Sequence, residues 1–141
     1  MQLKNIFSVL FLIVGMQHSF AQVYKFQTTG FTVLEKNEEG NWGKWSDLEP
    51  ASLIITLDTT KNRIIIYSQE IQLFEIMNYE KVQESDNDEI YPFTCRDDDG
   101  NPFVISIITR KKQGNRKQLY INHKNVIVAY NIINLIDKNE R

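Results

Sequence analysis

Past residue 22 the chain alternates short apolar runs with polar turns, and the spacing has the period of strands, not helices. Residues 23–36 come first, with Tyr24 and Phe26 on one side and Phe31 and Val33 on the other. Gly30 sits midway, where a strand bends or bulges most easily. Residues 37–50 are polar, carry Gly40, Gly43 and Pro50, and read as a long loop holding Trp42 and Trp45. Residues 52–58 and 63–68 make the clearest hairpin. Leu53, Ile55 and Leu57 alternate with Ile54 and Thr56, and Asp58 and Asn62 supply turn chemistry between the strands. In residues 71–79 the alternation resumes, and the N-cap and amphipathic stripe that a helix would need are missing.

Residues 84–89 form an acidic loop. Residues 90–96 and 103–110 then pair across residues 97–101, where Asp97 starts the bend and Gly100 takes positive φ. A basic turn follows at residues 110–117, centred on Gly114 and Asn115, and residues 118–122 and 126–133 flank His123, Lys124 and Asn125. The polar tail, residues 134–141, has room for one helical turn through Leu135 and Ile136. Seven or eight strands joined by tight turns predict an all-β antiparallel meander, closed as a small up-and-down barrel. A β-sandwich is the alternative. Residues 64–66, 104–108 and 126–133 are apolar on both faces, so a second layer or a partner is expected over part of the outer surface.

Residues 1–21 follow another pattern. Lys4 is a basic start, residues 6–14 are an apolar run too short to span a bilayer, and Ser19 and Ala21 are the small residues a signal peptidase reads. A buried N-terminal helix or strand is the competing reading. The first predicts cleavage before Gln22 and a secreted or periplasmic protein. Of 141 residues, 120 would remain, enough for one domain with a single core. Its 15 Lys and Arg (16 less Lys4) against 18 Asp and Glu leave a formal charge of −3. That balance argues against general nucleic-acid binding and gives no polybasic membrane signal. No second apolar stretch is long enough for a transmembrane helix, and no cysteine stands at the cleavage point to take a lipid.

Candidate chemistry is sparse. Cys95 is the only cysteine, so an intrachain disulfide is impossible; a buried thiol is expected, with an intermolecular bridge as the alternative. After cleavage His123 is the only histidine. No local motif surrounds it, and it reads as a solvated turn residue. One cysteine and one histidine cannot make a structural zinc site. Asp97, Asp98, Asp99 and Asn101 offer oxygen ligands for calcium, but an EF-hand frame from Asp97 needs glycine where Pro102 stands. Paired carboxylates for a hydrolase exist only as composition, since most of the acids lie in turns. No catalytic residue, metal or cofactor is assigned.

Two features point to binding. Gly40-Asn-Trp42 and Gly43-Lys-Trp45 place two indoles three residues apart, either capping the core or free to stack on a partner. Arg110, Lys111, Lys112, Arg116 and Lys117 put five cations within eight residues, suited to an acidic partner or to solubility alone. The Gly-x-Trp unit resembles the lipocalin signature, which implies a tryptophan packed across the closed end of a barrel; here it follows the first strand instead of opening it. The chain as a whole resembles short, signal-bearing, β-rich proteins of Gram-negative bacteria through Trp42 to Trp45, the isoleucine-rich hairpin and the Asp97–Gly100 turn. That likeness implies no activity. The expectation is an exported, non-enzymatic module binding a small apolar ligand or a protein partner, with an envelope-associated inhibitor as the alternative.

Overall fold

The computed structural model describes residues 22–135; the expected signal segment and the tail from Ile136 lie outside the described residues. Ten strands and no helix occur among them: β1 (Val23–Glu35), β2 (Glu49–Pro50), β3 (Ile54–Asp58), β4 (Arg63–Tyr67), β5 (Ile71–Tyr79), β6 (Gln83–Glu84), β7 (Asp88–Arg96), β8 (Pro102–Arg110), β9 (Arg116–His123) and β10 (Val126–Asn134). β2 and β3 both run antiparallel to β1 and belong to one interrupted strand. In the same way β6 prolongs β5 along β7. Eight strands therefore follow one another as a meander. Pairing of β1 with β10, from Phe26 opposite Asn134 to Glu35 opposite Val126, closes the sheet into a barrel. The β4–β5, β7–β8 and β9–β10 turns gather at one end, here the upper; the β3–β4 and β8–β9 turns lie at the lower end.

Turn chemistry accounts for these hairpins. Asp58 Oδ1 accepts the amides of Thr60 and Lys61, and Asn62 takes the left-handed conformation that closes the bend. Gly114 and Asn115 both have positive φ, matching the twist of a tight hairpin. Eight strands leave an interior just wide enough for side chains. Ile55, Ile64, Ile66, Ile105 and Leu119 fill it, with Phe26, Phe74 and Phe93 around them.

Strand β1 does not alternate evenly. Thr28 lies opposite Ile132 and Gly30 opposite Asn131, so Thr29 is an extra, bulged residue. The bulge reverses the alternation. Phe26 and Phe31 therefore both turn to the core, whereas an unbroken strand would have set them on opposite sides. Gly30 is required by close approach: a Cβ there would sit 2.9 Å from the Glu49 carbonyl oxygen. Beside it, the buried Thr28 hydroxyl donates to the Ala51 carbonyl (2.9 Å) and accepts from the Leu53 amide (2.8 Å), which pins the entry into β3.

Residues 37–50, expected as a long loop, form no strand before β2 and track the other edge of β1. Lys36 bridges to Trp42, the Gly43 amide reaches the Glu35 carbonyl, and the Ser46 amide reaches the Val33 carbonyl. Cys95 is buried, as expected, and burial pushes its thiol up to about 12.

Candidate functional site

Packing is complete in the middle of the barrel but not at its upper end. A recess of about 570 Å3 opens there, between the β4–β5 and β7–β8 turns on one side and β9 and β10 on the other. Phe74, Phe103, Ile121 and Tyr130 form its apolar base, and Glu70, Asp98 and Asp99 stand at its rim. Phe74 meets Phe103 edge-on with centroids 5.0 Å apart. The aromatic base arises because inward positions near the strand ends (Phe74 on β5, Phe103 on β8) face each other with no further turn above to cover them.

His123 ends β9 on this rim and is only partly exposed. Its ring stacks on Phe103 at 4.3 Å, and Nδ1 lies 2.8 Å from the Pro102 carbonyl oxygen. A carbonyl only accepts, so Nδ1 carries the proton, and Nε2 has no hydrogen-bond partner among the described residues. The solvated turn histidine of the sequence reading is thus held in one orientation. Asp97 is likewise committed. Its carboxylate accepts from the Asn101 side chain and from the amides of Asp99 and Asn101, and those bonds hold its pKa below the usual carboxylate range. Gly100 has φ of 82°, as its place in this turn requires. Asp98 and Asp99 are exposed and stay available at the rim.

Tyr130 is the one hydroxyl at the base. It is 9 % exposed, packs against Phe31 at 6.1 Å between centroids, and its hydroxyl has no hydrogen-bond partner among the described residues. Burial raises its pKa, so it remains a neutral phenol. Sequence reasoning missed Phe74, Phe103, Tyr130 and Glu70 as site residues. The available signal was positional and weak: Phe103 is the second residue of β8, but Phe74 is the fourth of β5 and Tyr130 the fifth of β10.

Trp42 and Trp45 lie on the outer wall near this mouth, each 44 % exposed. Trp45 meets Tyr120 edge-on at 6.0 Å, and the Lys36 ammonium sits 4.8 Å over the Trp42 ring. Tyr120 is opposite Ala129, which faces outward yet is buried, so the tryptophan segment provides part of the outer layer expected over β10. A shallow hollow of about 350 Å3 runs from Trp42 over Val104 and Ile127.

The five cations of the basic turn lie at the opposite, lower end. Arg110 pairs with Asp88 (3.1 Å) and donates to Gln118 and to the Tyr120 hydroxyl. Lys111 reaches Glu84 (2.8 Å) and the Ser85 carbonyl, Arg116 holds Gln113 and Asn131, and Lys117 reaches Thr109. Lys112 is exposed at the tip. The structure therefore brings Trp42 and Trp45 together on one wall; Arg110 reaches that wall through Tyr120, whose ring lies 6.0 Å from Trp45 and 5.9 Å from the Arg110 guanidinium, while the other four cations belong to the lower turn. No protein-family model, curated protein or solved structure shows a match to this chain.

Proposed function

We propose that this chain is an exported, non-enzymatic binding module whose upper mouth receives a small, mainly apolar ligand. The observation that carries the reading is the recess: an open space of about 570 Å3 over an aromatic base that carries one hydroxyl, Tyr130, with carboxylates at the rim. Sites for small ligands typically span ~300–1,000 Å3 and combine apolar walls with a few convergent polar groups. The signal-like residues 1–21 support export.

Titration with 2-phenylethanol, followed by NMR, tests it. Saturable shifts concentrated at Ile121, Val126 and Val128, abolished in Val126→Trp, are the expected result. Shifts scattered over the outer wall, or none, would remove the mouth as a site. N-terminal sequencing of the protein from its native source should give a start at Gln22; a start at Met1 would remove export.

A second reading rests on the two half-exposed indoles beside the hollow over Val104 and Ile127. There a protein partner would dock on the outer wall, and Trp42→Ala should weaken its capture without altering the phenylethanol shifts.

A further inference from the structure

We propose that the upper mouth selects small ammonium ligands: an amine or quaternary ammonium carried on a short apolar or aromatic body. This rests on the reading of the mouth as a binding site and adds the charge of what enters it.

Three observations converge. First, the residues lining the recess include the carboxylates of Glu70, Asp97, Asp98 and Asp99 and no lysine or arginine. The arginine closest in sequence to that turn, Arg96, is already held by Glu75 through two bonds of 3.0 and 3.1 Å. Lys36 is engaged over Trp42, and Lys124 stands exposed at the tip of the β9–β10 turn. Second, Phe103 and the stacked His123, both partly exposed, present aromatic surface at the mouth over the buried Phe74, and a ring face attracts a partly desolvated cation. Third, Tyr130 is nine-tenths buried and lines the recess, and its hydroxyl makes no hydrogen bond to another described residue, so a ligand in the recess can pair with it. An anion would meet the carboxylates. A neutral ligand would leave their field unused. An ammonium on an apolar body meets the rim and the base together.

The test compares three probes of nearly equal shape: phenethylammonium, 2-phenylethanol and phenylacetate. NMR titration of the whole protein should give shifts at Ile121 and Val128 for the cation with affinity about tenfold above the alcohol, a factor in keeping with a few partly screened charges, and no saturable shift for the anion. The double variant Asp98→Asn, Asp99→Asn should bring the cation down to the level of the alcohol with an unchanged unfolding midpoint, because the turn uses neither side chain in its hydrogen bonds. Tyr130→Phe should weaken both the cation and the alcohol. If the alcohol binds the mouth as well as the cation, selection by charge is overturned while the mouth stands as a site. If no probe shifts the lining residues, the reading beneath the proposal is overturned as well. Cation preference that persists in the double variant overturns the part assigned to the β7–β8 turn.

Discussion

Removing Arg110 should damage the barrel, although the residue looks like one of a cluster of surface cations. Its partners Gln118 and Tyr120 stand opposite Ile108 and Ser106 across the β8–β9 ladder, so its stem runs back over Ile108. Ile108 faces outward, yet it is buried. The pair with Asp88 is largely shielded, with side-chain exposures of 23 and 28 %. A charged hydrogen bond of this kind contributes about 1 kcal/mol after solvent screening, and the bonds to Gln118 and Tyr120 about 0.5 kcal/mol each. Exposing Ile108 and losing the stem adds roughly 1 kcal/mol. Arg110→Ala should therefore cost about 2–3 kcal/mol, or roughly 8–12 °C in Tm for a domain of this size. Arg110→Met keeps the stem and should recover about 1 kcal/mol of that. Lys112→Ala, at the exposed tip, serves as the control. Urea unfolding read by circular dichroism and tryptophan emission supplies the numbers. If Arg110→Ala costs no more than Lys112→Ala, or Met restores nothing, Arg110 is not the roof over Ile108.

Gly30→Ala should lower the unfolding free energy read from urea denaturation by about 1–3 kcal/mol, since a Cβ would sit 2.9 Å from the Glu49 backbone oxygen; wild-type stability would refute the close approach. Cys95, buried with its thiol pushed up to about 12, should react with a disulfide reagent at pH 8 only when denaturant is present, and rapid labelling of the native protein would contradict its place in the core. Asp97 and Glu84 are held below the usual carboxylate range, Asp97 chiefly by Asn101 and Glu84 by Lys111. The unfolded chain thus takes up protons first, so their stabilisation is present above the ordinary carboxylate values, about pH 4, and is lost as pH falls through the lower folded values. An unfolding midpoint that rises between pH 5 and pH 3 would contradict this sign.

Strands and most turns were legible because each is local: β-branched runs spell the strands, and Asp97–Gly100 and Gly114–Asn115 spell their own bends. The bulge was half legible. Gly30 marked the place, but alternation counted straight through it assigned Phe31 to the wrong face, since one inserted residue reverses every position beyond it. Residues 37–50 lack alternation because all of them are exposed, so neither side of the segment selects apolar residues even where it pairs with β1 through the backbone. The basic turn misled differently. Five cations in eight residues invite an external acidic partner, while Glu84 and Asp88 in the acidic loop satisfy two of them. In an up-and-down meander the turn at residues 85–87 and the turn at residues 111–115 meet at one end. Opposite charge on neighbouring same-end turns was therefore the readable clue. The mouth itself depends on β5, β8 and β10 converging, and no single stretch of sequence carries that.

The two ends of the barrel are built on different principles, and this difference argues for function at the upper one. Below, the loops are tied to one another. Tyr79 donates to Asn62 (2.7 Å) and stacks edge-on with Phe93, the Lys111 amide reaches the Asn87 carbonyl, and Arg110 and Lys111 hold the acidic loop. Opening that end would break several bonds at once. Above, Ser68 and Asp97 close their own turns, and no hydrogen bond joins the β4–β5 turn to the β7–β8 turn among the described residues. Those two turns border the recess on one side, so a ligand can part them without first breaking a bond between them. Arg96–Glu75 and His123–Pro102 tie the upper strand ends, so only the two turns above them stay unlinked, and an aromatic floor beneath unlinked turns is the arrangement that the proposed ligand site would use.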